Sequence, residues 1–449
     1  MATTPTSPKG DWRGNLSLAS RRYGDLFRDR DASTLLLAAV GSAIGDWLNF
    51  VAVVIIASNI GGGELAVGGA LAIRFVPRLI FQGPAGALVD RFPGRILLAS
   101  SQMLMGVIAG SFLLLERYRE IWLLFALVFL LESVYTIARP AFAVQVLRIV
   151  PAGRRSSANA VLGTGLTGAQ FVGGWLGGVL MSAWGDVPLF VINGLSFFVL
   201  AGVVLSVRTN VAPHVDEAEA TSSPEISPHF TTPSGYAGLL RVPDIRSFLA
   251  QQLSILLLIQ ATVALFVARS IELNRVQSEA GTLISMVGLG LILGSALGGI
   301  GVYLGPTALV IVAAGELFSA AALVGFGLVD TWPLALAALV GAGIGSQISD
   351  IAGMTYFQNH LPERVYGRFL SLYLIALSTG GLVGSLLGPL LNLRQSVGTS
   401  LLIIAVPAIV SSCWLWRIAL IQTRARARDP RADSKSKRVS HRRMPESRR

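Results

Sequence analysis

Asp46, Arg74, Arg78 and Glu132 each stand inside a long apolar run. A charged side chain at the centre of a bilayer costs about 2.5–3.5 kcal/mol on insertion scales, so each needs a counter-charge, a water-filled cavity or a task. At ~1.5 Å per helical residue, Asp46, Arg78 and Glu132 fall at similar depth, roughly 16–18 Å from an end of their runs. An ion pair between Asp46 and Arg74 or Arg78 would offset both charges, and protonating Asp46 would break it. Asp46 is then either a proton or substrate group, or half of a static pair that holds the first run against the second. Arginine does not usefully lose its proton, so Arg74 and Arg78 read as organisers. Glu132 shares a helix face with Thr136 and Arg139, at spacings of four and seven residues, and is a candidate proton site lining a cavity. Gln260 and Gln347 are candidate hydrogen-bonding walls of the same cavity. Gln170 and Glu316 read as ties between helices, and no task for Glu316 follows from its position.

The elements that hold these residues are membrane spans. Of 449 residues 53% are apolar and only 14% charged, where soluble chains carry about 25% charge. Runs of the roughly 20 residues needed to cross ~30 Å of hydrocarbon recur. They lie at 34–58, 66–89, 96–115, 121–143, 157–181 and 188–207, then at 248–268, 280–302, 307–328, 333–356, 368–391 and 398–417. The predicted fold class is an all-α membrane protein with twelve transmembrane helices in two pseudo-symmetric six-helix bundles. Its parts are a cytoplasmic N-terminal tail (1–33), a first bundle (34–208), a cytoplasmic linker with an amphipathic segment (209–247), a second bundle (248–417) and a basic cytoplasmic tail (418–449). Shifting the chain by 211 residues places Gly83 on Gly294, Pro151 on Pro362, Gly173 on Gly384 and Gly177 on Gly388, the mark of a six-plus-six parallel repeat. Substrate is expected near the midplane between the halves. Arg139 falls on Asp350 under the same shift, and the two are expected to meet, or to share a water network, when the inner side is closed.

Several classes are excluded. The single cysteine, Cys413, gives no disulfide framework, and four scattered histidines offer no metal spacing, so neither a metal nor a cofactor is expected. Lysine occurs only at Lys9, Lys435 and Lys437, which leaves no phosphate-binding loop lysine for a self-contained ATP-driven pump, and no enzyme is expected. The net charge of +11 resides in the tail: Arg424 to Arg449 hold 11 basic and 3 acidic residues, a net of +8. Such a tail fits solvent or anionic lipid, and no nucleic-acid partner is expected. Arginines in the short connections favour both termini on the cytoplasmic side.

The connection between the second and third spans carries Gly86, Asp90, Arg91, Gly94 and Arg95. It resembles the G-x-x-x-D-R-x-x-(G/R)-R signature of the major facilitator superfamily, where it forms a gating loop. The second half lacks it, since Asp90 and Arg91 map onto Gly301 and Val302. Residues 30–420 further resemble the branch of enterobactin exporters and macrolide-efflux proteins. The likeness lies in Gly41-Ser42-Ala43-Ile44-Gly45-Asp46-Trp47, Arg74-Phe75-Val76-Pro77-Arg78, Pro151 with Ser157-Ala158-Asn159-Ala160, and Ile192-Asn193-Gly194-Leu195-Ser196-Phe197. In the fifth span Gly168, Gly173, Gly174, Gly177 and Gly178 resemble the glycine motif associated with antiport, with Gly174 where the family usually has proline. Close helix packing explains these glycines equally well.

The resemblance implies a secondary transporter, with proton-coupled export of small amphipathic compounds (a drug, a macrolide-like molecule or a siderophore) by alternating access. The implied partners are a small-molecule substrate, protons and the lipid bilayer; the implied setting is a bacterial-type inner membrane, and the working form a monomer. Uptake of a polar nutrient by the same fold, and a membrane sensor or scaffold that does not transport, remain alternatives.

Overall fold

A computed structural model of the chain describes residues 27–150, 154–207, 235–301 and 308–428. The tail up to residue 26, Pro151, the linker from 208 to 234, and the basic residues beyond 428 lie outside the described residues, as do the side chains of Gly86 and Asp90. The described residues are helical throughout, with no strand. They form α1 (Arg30–Ile60), α2 (Glu64–Ile73), α3 (Phe75–Arg91), α4 (Gly94–Ser111, continued by a 3-10 turn Phe112–Glu116), α5 (Ile121–Ile149), α6 (Arg155–Trp184) and α7 (Val187–Ser206). After the linker come α8 (Gly235–Leu240), α9 (Pro243–Ala264), α10 (Phe266–Glu272), a 3-10 turn (Gln277–Glu279), α11 (Ala280–Gly301), α12 (Ala308–Leu328), α13 (Trp332–His360), α14 (Glu363–Asn392) and α15 (Val397–Arg428).

Ten helices among the described residues are long and apolar enough to cross a membrane. The second predicted span is split into α2 and α3, and glycine-rich α6 is the fifth; with these the twelve spans are complete. The outer surface is apolar where a soluble protein would be charged: Trp122 is 74% exposed and Ile96 62%. A surface of that composition is stable only against lipid.

Two compact units emerge, one of Met1–Glu217 with Val276–Ser285, the other of Ala218–Arg275 with Met286–Arg449. In the first, α1 packs on α6 and α7, α4 on α7, and α3 and α4 on α5. Its core is aliphatic, built on Leu35, Leu36, Leu98, Met105, Leu200 and Val204. In the second, α9 packs on α14 and α15, and α12 on α13 and α15, the same pairing shifted by one repeat. Its core is aromatic: Phe357 lies 4.5 Å from Phe369 and 4.9 Å from Phe248, ring centre to ring centre.

Matched glycines do matched work in the two units. An added Cβ on Gly173 would stand 2.6 Å from Trp47 Cβ, and one on Gly177 3.0 Å from Val51 Cβ, so α6 lies directly on α1. Their counterparts Gly384 and Gly388 do the same for α14 on α9, where a Cβ on Gly388 would meet Ala261 O at 2.8 Å. Small residues at such a seam let backbones approach where no hydrophobic drive separates protein from lipid. Gly174 and Gly178 face the other way, onto Gly281 and the turn at Ser278. Gly168 has open space where a Cβ would sit, so close approach is not the reason for glycine there.

Candidate functional site

The break between α2 and α3 follows from Pro77. Proline has no N–H, and its ring crowds the carbonyl four residues back, here Ile73, so the helix is interrupted at Arg74. The interruption sets Arg74 and Arg78 at the start of α3, where that helix packs on α5. Both arginines then reach one carboxylate. Arg74 Nε donates to Glu132 Oε1 at 2.6 Å, and Arg78 Nη2 donates to Glu132 Oε2 at 3.0 Å.

This differs from the pairing expected from the sequence, in which Asp46 took the arginines. Depth along the membrane was similar for both acids, but α5 presents Glu132 to α3 directly. Asp46 on α1 has no ion pair of its own among the described residues and lies within electrostatic range of Arg74 and Glu132. The arginines are further held by aromatic rings: the Arg74 guanidinium sits 4.7 Å from the Phe50 ring centre and that of Arg78 5.3 Å from Phe75. The Glu132 side chain is 8% exposed, while those of Arg74 and Arg78 keep 30% and 28%. An open edge on the cationic side thus adjoins a closed anionic one.

Thr136 back-bonds to Glu132 O at 2.7 Å, and Pro140 sits one turn further on within α5. Both features bend helices. Arg139 projects from the same stretch and is exposed. In the second unit Asp350 Oδ1 accepts from Tyr373 Oη at 2.6 Å and from Gln252 Nε2 at 3.5 Å. Gln347 packs at its stem against α11, 2.8 Å from where a Cβ on Gly294 would be, and Gln260 is half-buried on α9.

The loop signature has one structural anchor that the sequence did not foretell. Arg95 Nε donates to Val204 O at 3.1 Å and Arg95 Nη2 donates to Leu205 O, both carbonyls in the last turn of α7. Those carbonyls lack helical donors and carry the negative end of the helix dipole, so a guanidinium there caps α7. Arg91 is exposed, and of Gly86 and Asp90 only the backbone in α3 is described. No group of acidic, histidine or cysteine residues suited to a metal occurs among the described residues.

Likeness to known proteins agrees with this architecture. A bacterial homologue of the human lysosomal transporter Spinster, in an inward-facing, unoccupied conformation, superposes with a TM-score of 0.68 at 14% identity, covering 88% of this chain and 97% of that one. The same homologue in its occupied state gives 0.66, also at 14% identity, over 92% and 97%. The nucleoside transporter NupG gives 0.60 at 11% identity, over 86% and 98%. Identities this low establish the fold alone, that of the major facilitator transporters. No curated protein sequence matches the chain. The family model described as "transmembrane secretion effector" matches residues 26–447, nearly the whole length, and the chain belongs to that family of major facilitator transporters.

Proposed function

We propose that the protein is a proton-coupled exporter of small amphipathic compounds, working by alternating access. The observation that carries this reading is the cluster of Arg74, Arg78 and Glu132 with Asp46 beside it. With Asp46 ionised, two carboxylates answer two guanidiniums. A proton on Asp46 leaves the arginines one anion short, which favours a rearrangement of α1 against α3, and a differential of a few kcal/mol between states suffices to drive a cycle. The family's description as a secretion effector supports outward movement.

In everted vesicles loaded with a pH-sensitive dye, drugs, macrolides and siderophores are expected to elicit proton movement. Asp46→Asn should lower that response at least about tenfold, the effect of ~1.4 kcal/mol in the coupled step. An Asp46→Asn response equal to wild type for every active compound would end the proton role of Asp46. Nucleosides belong in the same panel, because the fold is shared with a nucleoside transporter. Accumulation of one of them in whole cells would favour nutrient uptake instead.

The proposal includes a bacterial-type inner membrane setting with both termini cytoplasmic. In a Cys413→Ser background, Gly10→Cys and Lys435→Cys should react with a membrane-impermeant maleimide in inside-out vesicles and not in intact cells. Labelling of either position from outside would reverse the assignment.

A further inference from the structure

Glu316 has no place in the cluster just described, and its surroundings are unlike those of any acid in the first unit. It lies on α12 next to Gly315, where α12 and α13 pass so closely that a Cβ on Gly315 would stand 2.7 Å from Gly345 O and 3.2 Å from Ser349 Cβ. Glu316 is 1% exposed, and its Oε2 makes no hydrogen bond among the described residues. Ser349 stands beside it, and Asp350 lies within electrostatic range. Three further buried oxygens around this crossing are without partners: Ser349 Oγ, Ser319 Oγ and Gln252 Oε1. Gln252 is the residue whose Nε2 donates to Asp350.

No described cation answers these carboxylates. From α9 come Gln252 and Gln251, the latter spent on Val312 O at 3.3 Å and Ser412 Oγ at 3.4 Å, and Asp244, which accepts from Tyr356 Oη at 3.2 Å. On α13 His360 stacks on Tyr356, in the last turn of the helix and about three turns beyond Ser349. From α14 comes Tyr373, while Arg368 there, Arg417 on α15 and Arg246 on α9 are exposed. Arg269 is engaged by Glu272 at 2.6 Å. Glu316 is fully buried and Asp350 half-buried, and a buried carboxylate without a positive partner is costly.

We propose that Glu316, with Asp350, Ser349 and Gln252, forms a binding site for a small monovalent cation, a proton or Na⁺, inside the second unit. The site is independent of any role of Asp46 and needs no transported substrate to be detected. The test uses the full chain in nanodiscs of phosphatidylcholine and phosphatidylglycerol. Infrared difference spectra on acidification in choline chloride report the carbonyl stretch of a protonated carboxyl group, and thermal unfolding in NaCl against choline chloride reports Na⁺. Wild type should show one of the two signals with a component that Glu316→Gln removes and Asp46→Asn retains. Loss of the carboxyl band identifies the proton, and loss of the Na⁺-dependent rise in Tm identifies Na⁺. If Glu316→Gln does not insert, Ser349→Ala removes one oxygen only and should shift the midpoint of the same signal. Wild type without either signal, or a variant that keeps the wild-type response, overturns the site.

Discussion

Glu132→Gln is expected to destabilise the first unit by about 3–5 kcal/mol, the cost of stripping a buried ion pair of one partner. The substitution preserves volume, so the loss is electrostatic. Arg74 and Arg78 both spend their donors on this one side chain, at 2.6 and 3.0 Å, and an amide offers them one neutral acceptor in place of two charged oxygens. Partial exposure of the arginines, 30% and 28%, pulls the effect toward the lower end of that range. Thermal unfolding of the purified protein, followed by tryptophan fluorescence, reads it directly. Adding Arg74→Gln to Glu132→Gln should recover part of the loss, because it removes one of the two stranded cations. A Glu132→Gln protein as stable as wild type would mean that the two arginines find other anions, and the cluster would lose its claim to organise α3 and α5.

The second large effect is expected at Gly384, in the seam of α14 on α9. A Cβ there falls on Leu257 O, and those at Gly380 and Gly388 fall on Leu253 O and Ala261 O. These are backbone atoms and cannot rotate away. Gly384→Ala should therefore cost about 1–3 kcal/mol by overpacking, against the ordinary helix preference for alanine over glycine. Gly384→Leu should prevent a stable second unit, seen as loss of the monodisperse peak in size-exclusion chromatography. Gly367 on the same helix is the control: it is exposed with open space around the missing Cβ, so Gly367→Ala should be neutral or slightly stabilising. Equal effects at the two positions would show that helix propensity, not the seam, decides.

Much of the fold was legible because the bilayer leaves few alternatives. Apolar runs of spanning length reveal helices, and the shift of 211 that aligned Gly173 with Gly384 and Gly177 with Gly388 also found the residues that seat α6 on α1 and α14 on α9. Pro77 could have announced the break at Arg74, since a proline three residues on frees the carbonyl of Ile73. The partner of Arg74 and Arg78 was harder. Counting residues gives depth, and Asp46 and Glu132 share it; the choice depends on how α1 and α5 are rotated about their axes, and each residue step turns a helix by about 100°. The repeat does not help, because at the place equivalent to Glu132 the second unit has Gly343, where a Cβ would meet Gly290 Cα at 2.9 Å. One unit puts charge where the other puts contact. Glu316 was illegible for a related reason: sequence shows that it is acidic and deep, but only the crossing of α12 on α13 shows that its neighbours are serines without partners. The grouping of Val276–Ser285 with the first unit likewise carries no compositional mark.

The broken second span has a consequence for how the chain is made. Arg74 and Arg78 emerge from the ribosome 58 and 54 residues ahead of the carboxylate that neutralises both. Until α5 is synthesised, that broken span carries two cations, with Asp46 the one acid within electrostatic range of Arg74, into a bilayer that resists each charge by about 2.5–3.5 kcal/mol. The nascent chain must therefore keep α2 and α3 at the insertion machinery, or in the interface, until Glu132 arrives.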